Sequence, residues 1–212
     1  MTKDLLSTKY LSGIYNKLVR AWNVEFPKSK EKIRHYQKIN KRFKNALDVM
    51  RDISEKYPFG IVDIGCNNGI LSVVASMKFD KVIGVEFNET FYRNALITKT
   101  FFKKRGFDTT RIFFRNEKLN GFKNNDLYNI KGILACQVLY HLDNKDIDVL
   151  LDIMEDAEIF ICSARKDKNK TNNRFGLYTV KSISKFLKQN GFDIDKIYHK
   201  KTNWPIFVAT KR

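Results

Sequence analysis

The sequence predicts an α/β fold: a doubly wound, mainly parallel seven-stranded sheet with an antiparallel C-terminal edge hairpin, preceded by N-terminal helices. Three observations carry this expectation. From residue 59 onward, short β-branched and aromatic runs alternate with segments of helical periodicity, which implies crossover connections and a sheet covered on both faces. The stretch "FGIVDIGCNNGILSVVAS", residues 59–76, reads as strand, glycine-bearing turn and helix. The last segment, "FDIDKIYHKKTNWPIFVATKR", reads as two consecutive strands about a turn at 200–203, which gives the sheet its antiparallel edge.

In chain order, "YLSGIYNKLVRAW" places Leu11, Ile14, Tyr15, Leu18 and Trp22 at helical spacing. Pro27 ends that helix and Ser29 is a cap for the next. The second helix carries one apolar stripe of Ile33, Tyr36, Ile39, Phe43, Ala46, Leu47, Met50 and Ile53, and Tyr57-Pro58 stops it. Lys30, Arg34, Lys38, Lys41, Arg42 and Lys44 fall largely outside the stripe. Strands follow at 60–64, 81–86, 111–114, 132–137, 158–163, 193–198 and 205–210. Helices follow at 69–78, 89–104, 144–156 and 179–190, with Thr179 as the cap of the last and Gly191 as its end. The expected division is a basic helical extension over 1–58 and a ligand-binding domain over 59–212.

The chain has 212 residues and a formal charge of +17, from 40 Lys+Arg against 23 Asp+Glu. A hydrophobic fraction of 43% suffices for a packed core. No apolar run reaches the roughly 18 residues of a membrane span, and the charged N-terminus reads as no signal peptide, so a cytoplasmic protein is expected. Cys66, Cys136 and Cys162 are far apart in apolar contexts and read as reduced thiols, while three scattered histidines show no metal-ligand spacing. The positive field suits a polyanion. A+T-rich coding would enrich Lys, Asn, Ile, Phe and Tyr together, but it leaves the shortage of acids unexplained. The extension alone has fourteen Lys/Arg against six Asp/Glu, a surplus of +8. Its stripe either packs on the following domain or lies on nucleic acid or a membrane surface.

The dinucleotide fingerprint G-x-G-x-x-G with its first glycine at 65 requires glycine at 67 and 70, where Asn67 and Ile70 stand. A nicotinamide or flavin site is therefore disfavoured. What holds is Asp63-x-Gly65-x-Asn67-x-Gly69, and after glycine Asn most readily adopts the positive φ that such a turn needs. Glu86 closes an apolar strand twenty-three residues after Asp63, at the spacing of a ribose-binding carboxylate. The spacing resembles motif I of the class I, Rossmann-like S-adenosylmethionine (SAM)-dependent methyltransferases, D-x-G-x-G-x-G, with one substitution. That resemblance extends to "GILACQVLYHLDNKD", which is similar to the family's strand-to-loop segment ending in V-L-x-H-L, and it covers roughly residues 59–210.

The resemblance implies a SAM cofactor, with Gly65, Cys66, Asn67 and Gly69 cradling its methionine and ribose portion, Asp63 orienting that end and Glu86 holding the ribose. Asn116 or Glu117 is placed to meet the adenine amino group. Gln137 and Tyr140 are candidates for the pocket near the methyl, Gln137 toward the cofactor and Tyr140 as a packing or positioning residue of the catalytic end, and His141 is either a general base or a structural histidine of the loop. "DIGCNNG" with "VLYHL" is also similar to the tRNA wobble-uridine carboxymethyltransferase-like group, though only over those motifs.

The motifs of base amino-group, ribose 2′-O and cytosine C5 methylation are not recognisable. The leading acceptor is RNA, tRNA or rRNA, gripped by the basic N-terminal helices and the loop "SARKDKNKTNNRFG" at 163–176, through Arg165, Lys166, Lys168, Lys170 and Arg174. Phe175 or Tyr178 would stack on a base. The alternative is a small-molecule or glycan O-methyltransferase with His141 as base. A third reading keeps the fold for binding alone.

Overall fold

The computed structural model describes residues 8–23, 41–53, 56–122, 128–165 and 173–212. Among these residues, seven strands form one sheet: β1 (Tyr57–Ile64), β2 (Phe79–Val85), β3 (Ile112–Arg115), β4 (Ile130–Ala135), β5 (Ile159–Ser163), β6 (Phe192–Tyr198) and β7 (Ile206–Lys211). Their spatial order is β3-β2-β1-β4-β5-β7-β6. All pairs are parallel except β5–β7 and β6–β7, so the terminal hairpin is inserted antiparallel beside β5. The strand sequence reverses direction between β1 and β4. A crevice therefore opens at the carboxyl ends of β1, β2 and β4, where neighbouring loops diverge.

The helices are α1 (Thr8–Asn23), α2 (Lys41–Asp52), α3 (Ile70–Ala75), α4 (Glu89–Lys103), α5 (Asn144–Asp156) and α6 (Val180–Gln189). Local chemistry sets their starts. The Asn88 side chain accepts from the Thr90 and Phe91 N–H groups at α4. Asp143 and Asp146 form a reciprocal capping box at α5, and Thr179 and Ser182 do the same at α6. At the end of α6, Gly191 takes φ 81° and turns the chain into β6.

One apolar core lies on each face of the sheet. On one side, Leu11, Tyr15, Leu18 and Trp22 of α1 join Ala46, Leu47, Val49 and Met50 of α2 and side chains of α3, α4, β1 and β2. On the other, α5 and α6 bury Ile147, Leu150, Ile183 and Phe186 against Val62, Ile133 and Phe160. The stripe expected on α1 is thus buried apart from a half-buried Ile14, and the described part of the α2 stripe is buried with it. Ser29, Ile33, Tyr36 and Ile39 lie outside the described residues, as does the side chain of Phe43. Truncating a fully buried leucine such as Leu18 or Leu47 to alanine costs about 2–5 kcal/mol.

β1 begins at Tyr57, earlier than the strand expected from residue 60. Pro58 has no N–H to give, and the pairing register with β2 shifts between Tyr57 and Gly60 to absorb it. No helix among the described residues is long and apolar enough to cross a membrane.

Candidate cofactor site

The turn after β1 is closed on itself. Gly65, Asn67 and Gly69 take φ values of 66°, 52° and 73°, so the glycine missing at 67 is replaced by a residue in the same left-handed conformation. Side chains are forbidden on either side of it. A Cβ on Gly65 would stand 2.6 Å from Val138, and one on Gly69 would stand 2.6 Å from the Phe114 ring and 2.9 Å from the Ala95 Cβ. The backbone donors are then fully used. The Gly65 and Cys66 N–H groups both donate to the Val85 carbonyl at 2.9 and 3.1 Å, and the Gly69 N–H donates to the Cys66 carbonyl at 2.9 Å. Asn67 N–H donates to Glu86 Oε2 at 3.0 Å, and Asn68 N–H donates to Asn67 Oδ1 at 2.8 Å. Every N–H from 65 to 69 has its partner within the protein. The N–H groups of 65–69 leave no ring of donors for a phosphate, and Ile70, Leu71 and Ser72, which open α3, do not line the cavity beside the turn.

Glu86, at the end of β2, is 6% exposed. Its second oxygen, Oε1, accepts from the Asn88 N–H at 2.9 Å. One carboxylate thus braces two loops. The residue lines the cavity, and the four acceptor sites of a carboxylate leave room for a further donor from that side. Burial raises its pKa, and the N–H donors of Asn88, Asn67 and Phe87 partly offset that. Asp63 lies deeper, 2% exposed, and accepts from Ser72 Oγ at 2.5 Å. Burial pushes its carboxyl up to about 7, with the nearby Glu86 charge adding to the rise and the Ser72 hydroxyl opposing it.

The cavity holds about 470 Å³, within the range of sites for small ligands. Of the residues singled out in the sequence, Gly65, Asn67, Glu86, Glu117, Gln137 and His141 line it. Asp63, Cys66, Gly69, Asn116 and Tyr140 do not line it. Asp63 instead fastens the turn to α3 through Ser72. Cys66 is buried against Gly84, where burial drives its thiol pKa well up. Asn116 turns its amide back onto the Glu86 and Phe87 carbonyls at 2.9 and 3.2 Å, so its donors serve the β2–β3 edge.

Several lining residues escaped the sequence reading: Phe87, Phe91, Leu119, Val138, Leu142, Asp143 and Asp146. The period-2 alternation of β2 continues past Glu86 and sends Phe87 out, 67% exposed. "DNKD" before an apolar run is a helix-start signature that places acids at a strand's carboxyl end. With Glu86 and Glu117, the lining carries four carboxylates against Lys118. In a chain of charge +17, this cavity is acidic.

Gln137 sits at φ 64° just past β4, with its N–H donating to Ser163 Oγ at 2.7 Å. A non-glycine residue in that conformation turns the chain sharply into the loop that carries His141. Asn173, 8% exposed, clamps this loop by donating to the Leu139 and Leu142 carbonyls at 3.0 and 3.3 Å. No sequence motif marked Asn173. Desolvation against the cavity wall lowers the His141 pKa, and the Arg165 charge lowers it further. The Tyr140 ring is wedged between the His141 imidazole, at 4.2 Å, and the Tyr178 ring, at 5.3 Å.

The residues expected to grip a polyanion are arranged differently. Arg174 is ion-paired with Asp148 at 2.6 Å on the surface, so its charge is already shared. Tyr178 is 3% exposed and offers no face to a nucleobase. Phe175 packs edge-on against Phe186 at 5.1 Å. Arg165 lies over the rings of Trp204, Tyr140 and Tyr178, at 4.6, 5.2 and 5.4 Å from their centroids. Lys166, Lys168 and Lys170 lie outside the described residues.

No family model and no curated protein sequence matches the chain. Solved structures do. Magnesium protoporphyrin IX methyltransferase (ChlM) from Synechocystis, solved with SAM bound, superposes with a TM-score of 0.63 at 15% identity, covering 100% of this chain and 99% of that one. Sp1610 of Streptococcus pneumoniae, assigned as a tRNA (m1A22) methyltransferase, gives 0.54 at 18% identity over 82% of this chain and 70% of its own. PH1948 of Pyrococcus horikoshii, assigned as an RNA methyltransferase, gives 0.58 at 13% identity over 93% and 96%. The chain therefore has the Rossmann-like fold of the SAM-dependent methyltransferases.

Proposed function

We propose that the protein is a SAM-dependent methyltransferase. The observation that carries this reading is the pairing of a turn with no free N–H donor and a cavity walled by four carboxylates. A pyrophosphate would find no free N–H along 65–69 and four carboxylates against one lysine around it. A phosphate-free nucleoside bearing a sulfonium and an ammonium meets complementary charge. Glu86 keeps acceptor capacity for a ribose hydroxyl, and Phe87 and Leu119 supply apolar surface for a base. The SAM-bound ChlM structure shares the fold, which supports the same choice of cofactor.

When bound, SAM supplies an activated methyl on sulfur. The protein's task is then to orient the acceptor in line with that methyl and keep water out. Gln137 and His141 occupy the cavity wall at the carboxyl end of β4. With its pKa lowered, the imidazole is neutral near pH 7 and able to accept a proton at a ring nitrogen from a hydroxyl acceptor. Residues 1–58 act in this reading as an N-terminal extension whose described helices complete the core beside the turn.

For the acceptor we favour RNA, on the charge of +17 and the surplus of +8 in the N-terminal segment. The second reading, a small-molecule or glycan hydroxyl, draws on the neutral His141 in the cavity. Incubating the protein with methyl-tritiated SAM and either total RNA or a small-molecule extract tests both. RNA methylation that falls steeply between 50 and about 200 mM salt supports the first. Label confined to the small-molecule fraction, or transfer to RNA insensitive to salt, sinks it.

A further inference from the structure

We propose that Thr98 and Trp22 are positioning residues of the cofactor turn, through which the N-terminal helix sets the affinity for SAM. The inference rests on the reading of that turn as a SAM site. Thr98 is fully buried on α4, one helical turn from Ala95, whose Cβ closes against Gly69. Its hydroxyl donates to the Asn68 carbonyl at 2.7 Å. The same oxygen accepts from Trp22 Nε1, at the end of α1, at 3.1 Å. An indole N–H only donates and a carbonyl only accepts, so a hydroxyl between them satisfies both with its one proton.

The consequence lies in the peptide unit between Asn68 and Gly69. Its carbonyl is held by Thr98, and its N–H is held by the Cys66 carbonyl at 2.9 Å. That unit closes the left-handed turn that starts at Asn67, whose own N–H is gripped by Glu86. A rotation of the 68–69 peptide would release Asn67 and with it the carboxylate assigned to the ribose. The indole is seated independently: Trp22 is 3% exposed and meets the Tyr15 ring edge-on at 6.1 Å. Helix α1 is therefore built into the cofactor site from behind, although none of its described side chains lines the cavity. Linkage requires the coupling to be mutual: whatever orders the turn also steadies the end of α1.

The experiment compares wild type, T98V, T98S and W22F by calorimetry with S-adenosylhomocysteine and by hydrogen exchange with and without it. T98V keeps the shape of the side chain and removes the hydroxyl. The expected result is an affinity about tenfold weaker in T98V and W22F, near wild type in T98S, with faster exchange over 65–69 in the two weakened variants even without ligand. Ligand should slow exchange over 18–22 in wild type and T98S but not in T98V. Affinity in T98V equal to wild type, or T98S as weak as T98V, overturns the proposal. If T98V does not fold, W22F and T98S decide it. Should wild type itself ignore the ligand, the cofactor reading fails, while ligand-free exchange over 65–69 still tests the relay.

Discussion

Replacing Asp63 by asparagine isolates the cost of burying a carboxyl beneath the turn. Asn keeps the outline of the side chain and an oxygen that can accept from Ser72. In the folded protein the Asp63 carboxyl titrates at about 7, against an ordinary value of 3.8. Between these values the folded state holds a proton that the unfolded chain has already released. Stability contributed by this group therefore falls as pH rises, at about 1.4 kcal/mol per pH unit, and levels off above about 7. Across the whole interval the loss is roughly 4 kcal/mol. Urea unfolding of wild type and D63N at several pH values reads it directly. Subtracting the two curves cancels the titrating groups that do not feel Asp63 and leaves Asp63 together with its coupling to Glu86. The stability of D63N relative to wild type should climb from pH 4 to pH 7 and be flat from pH 8 upward. A difference independent of pH would refute the reasoning and would mean that Asp63 is ionised in the folded state throughout.

Three further outcomes follow from the same geometry. Asn67→Gly should leave thermal stability within about 1 kcal/mol of wild type and preserve SAM binding, whereas Asn67→Ala should cost about 1–2 kcal/mol by chemical denaturation, because alanine resists φ 52° and loses the bond to the Asn68 N–H. Glu86→Gln should weaken SAM by about 10–100-fold in calorimetry, since a charged acceptor is replaced by a neutral amide. His141→Ala should leave SAM affinity unchanged and lower turnover on a hydroxyl acceptor by about 10²–10⁴-fold; full activity on such an acceptor would remove His141 from proton transfer.

The elements that were legible in the sequence are those whose signals are local. Helix α5 lies at 144–156 as the spacing placed it, because apolar periodicity and the Asp143 cap agree. Thr179 caps α6 for the same reason. The turn was legible because Asp63, Gly65, Asn67, Gly69 and Glu86 are fixed by the path of two adjacent strands. Side-chain direction at strand ends was less legible. Asn116 and Glu117 are neighbours, and only the pairing of β3 with β2 decides that Glu117 faces the cavity while Asn116 bonds back to carbonyls. Contacts that join distant segments left no trace in the chain. The Asn173 clamp spans 34 residues and the Trp22–Thr98 bond 76, and neither has a local spacing to betray it. The burial of Tyr178 is of the same kind, since it follows from packing against Tyr140 on another loop.

Titration calorimetry of the purified protein with SAM, run beside NAD at equal concentration, tests the central claim most directly. Saturable binding of SAM in the micromolar range, about −8 kcal/mol, with no heat from NAD, is the predicted result. Binding of NAD in place of SAM, or no response to SAM at millimolar concentration, would contradict the assignment of this acidic crevice to a sulfonium nucleoside.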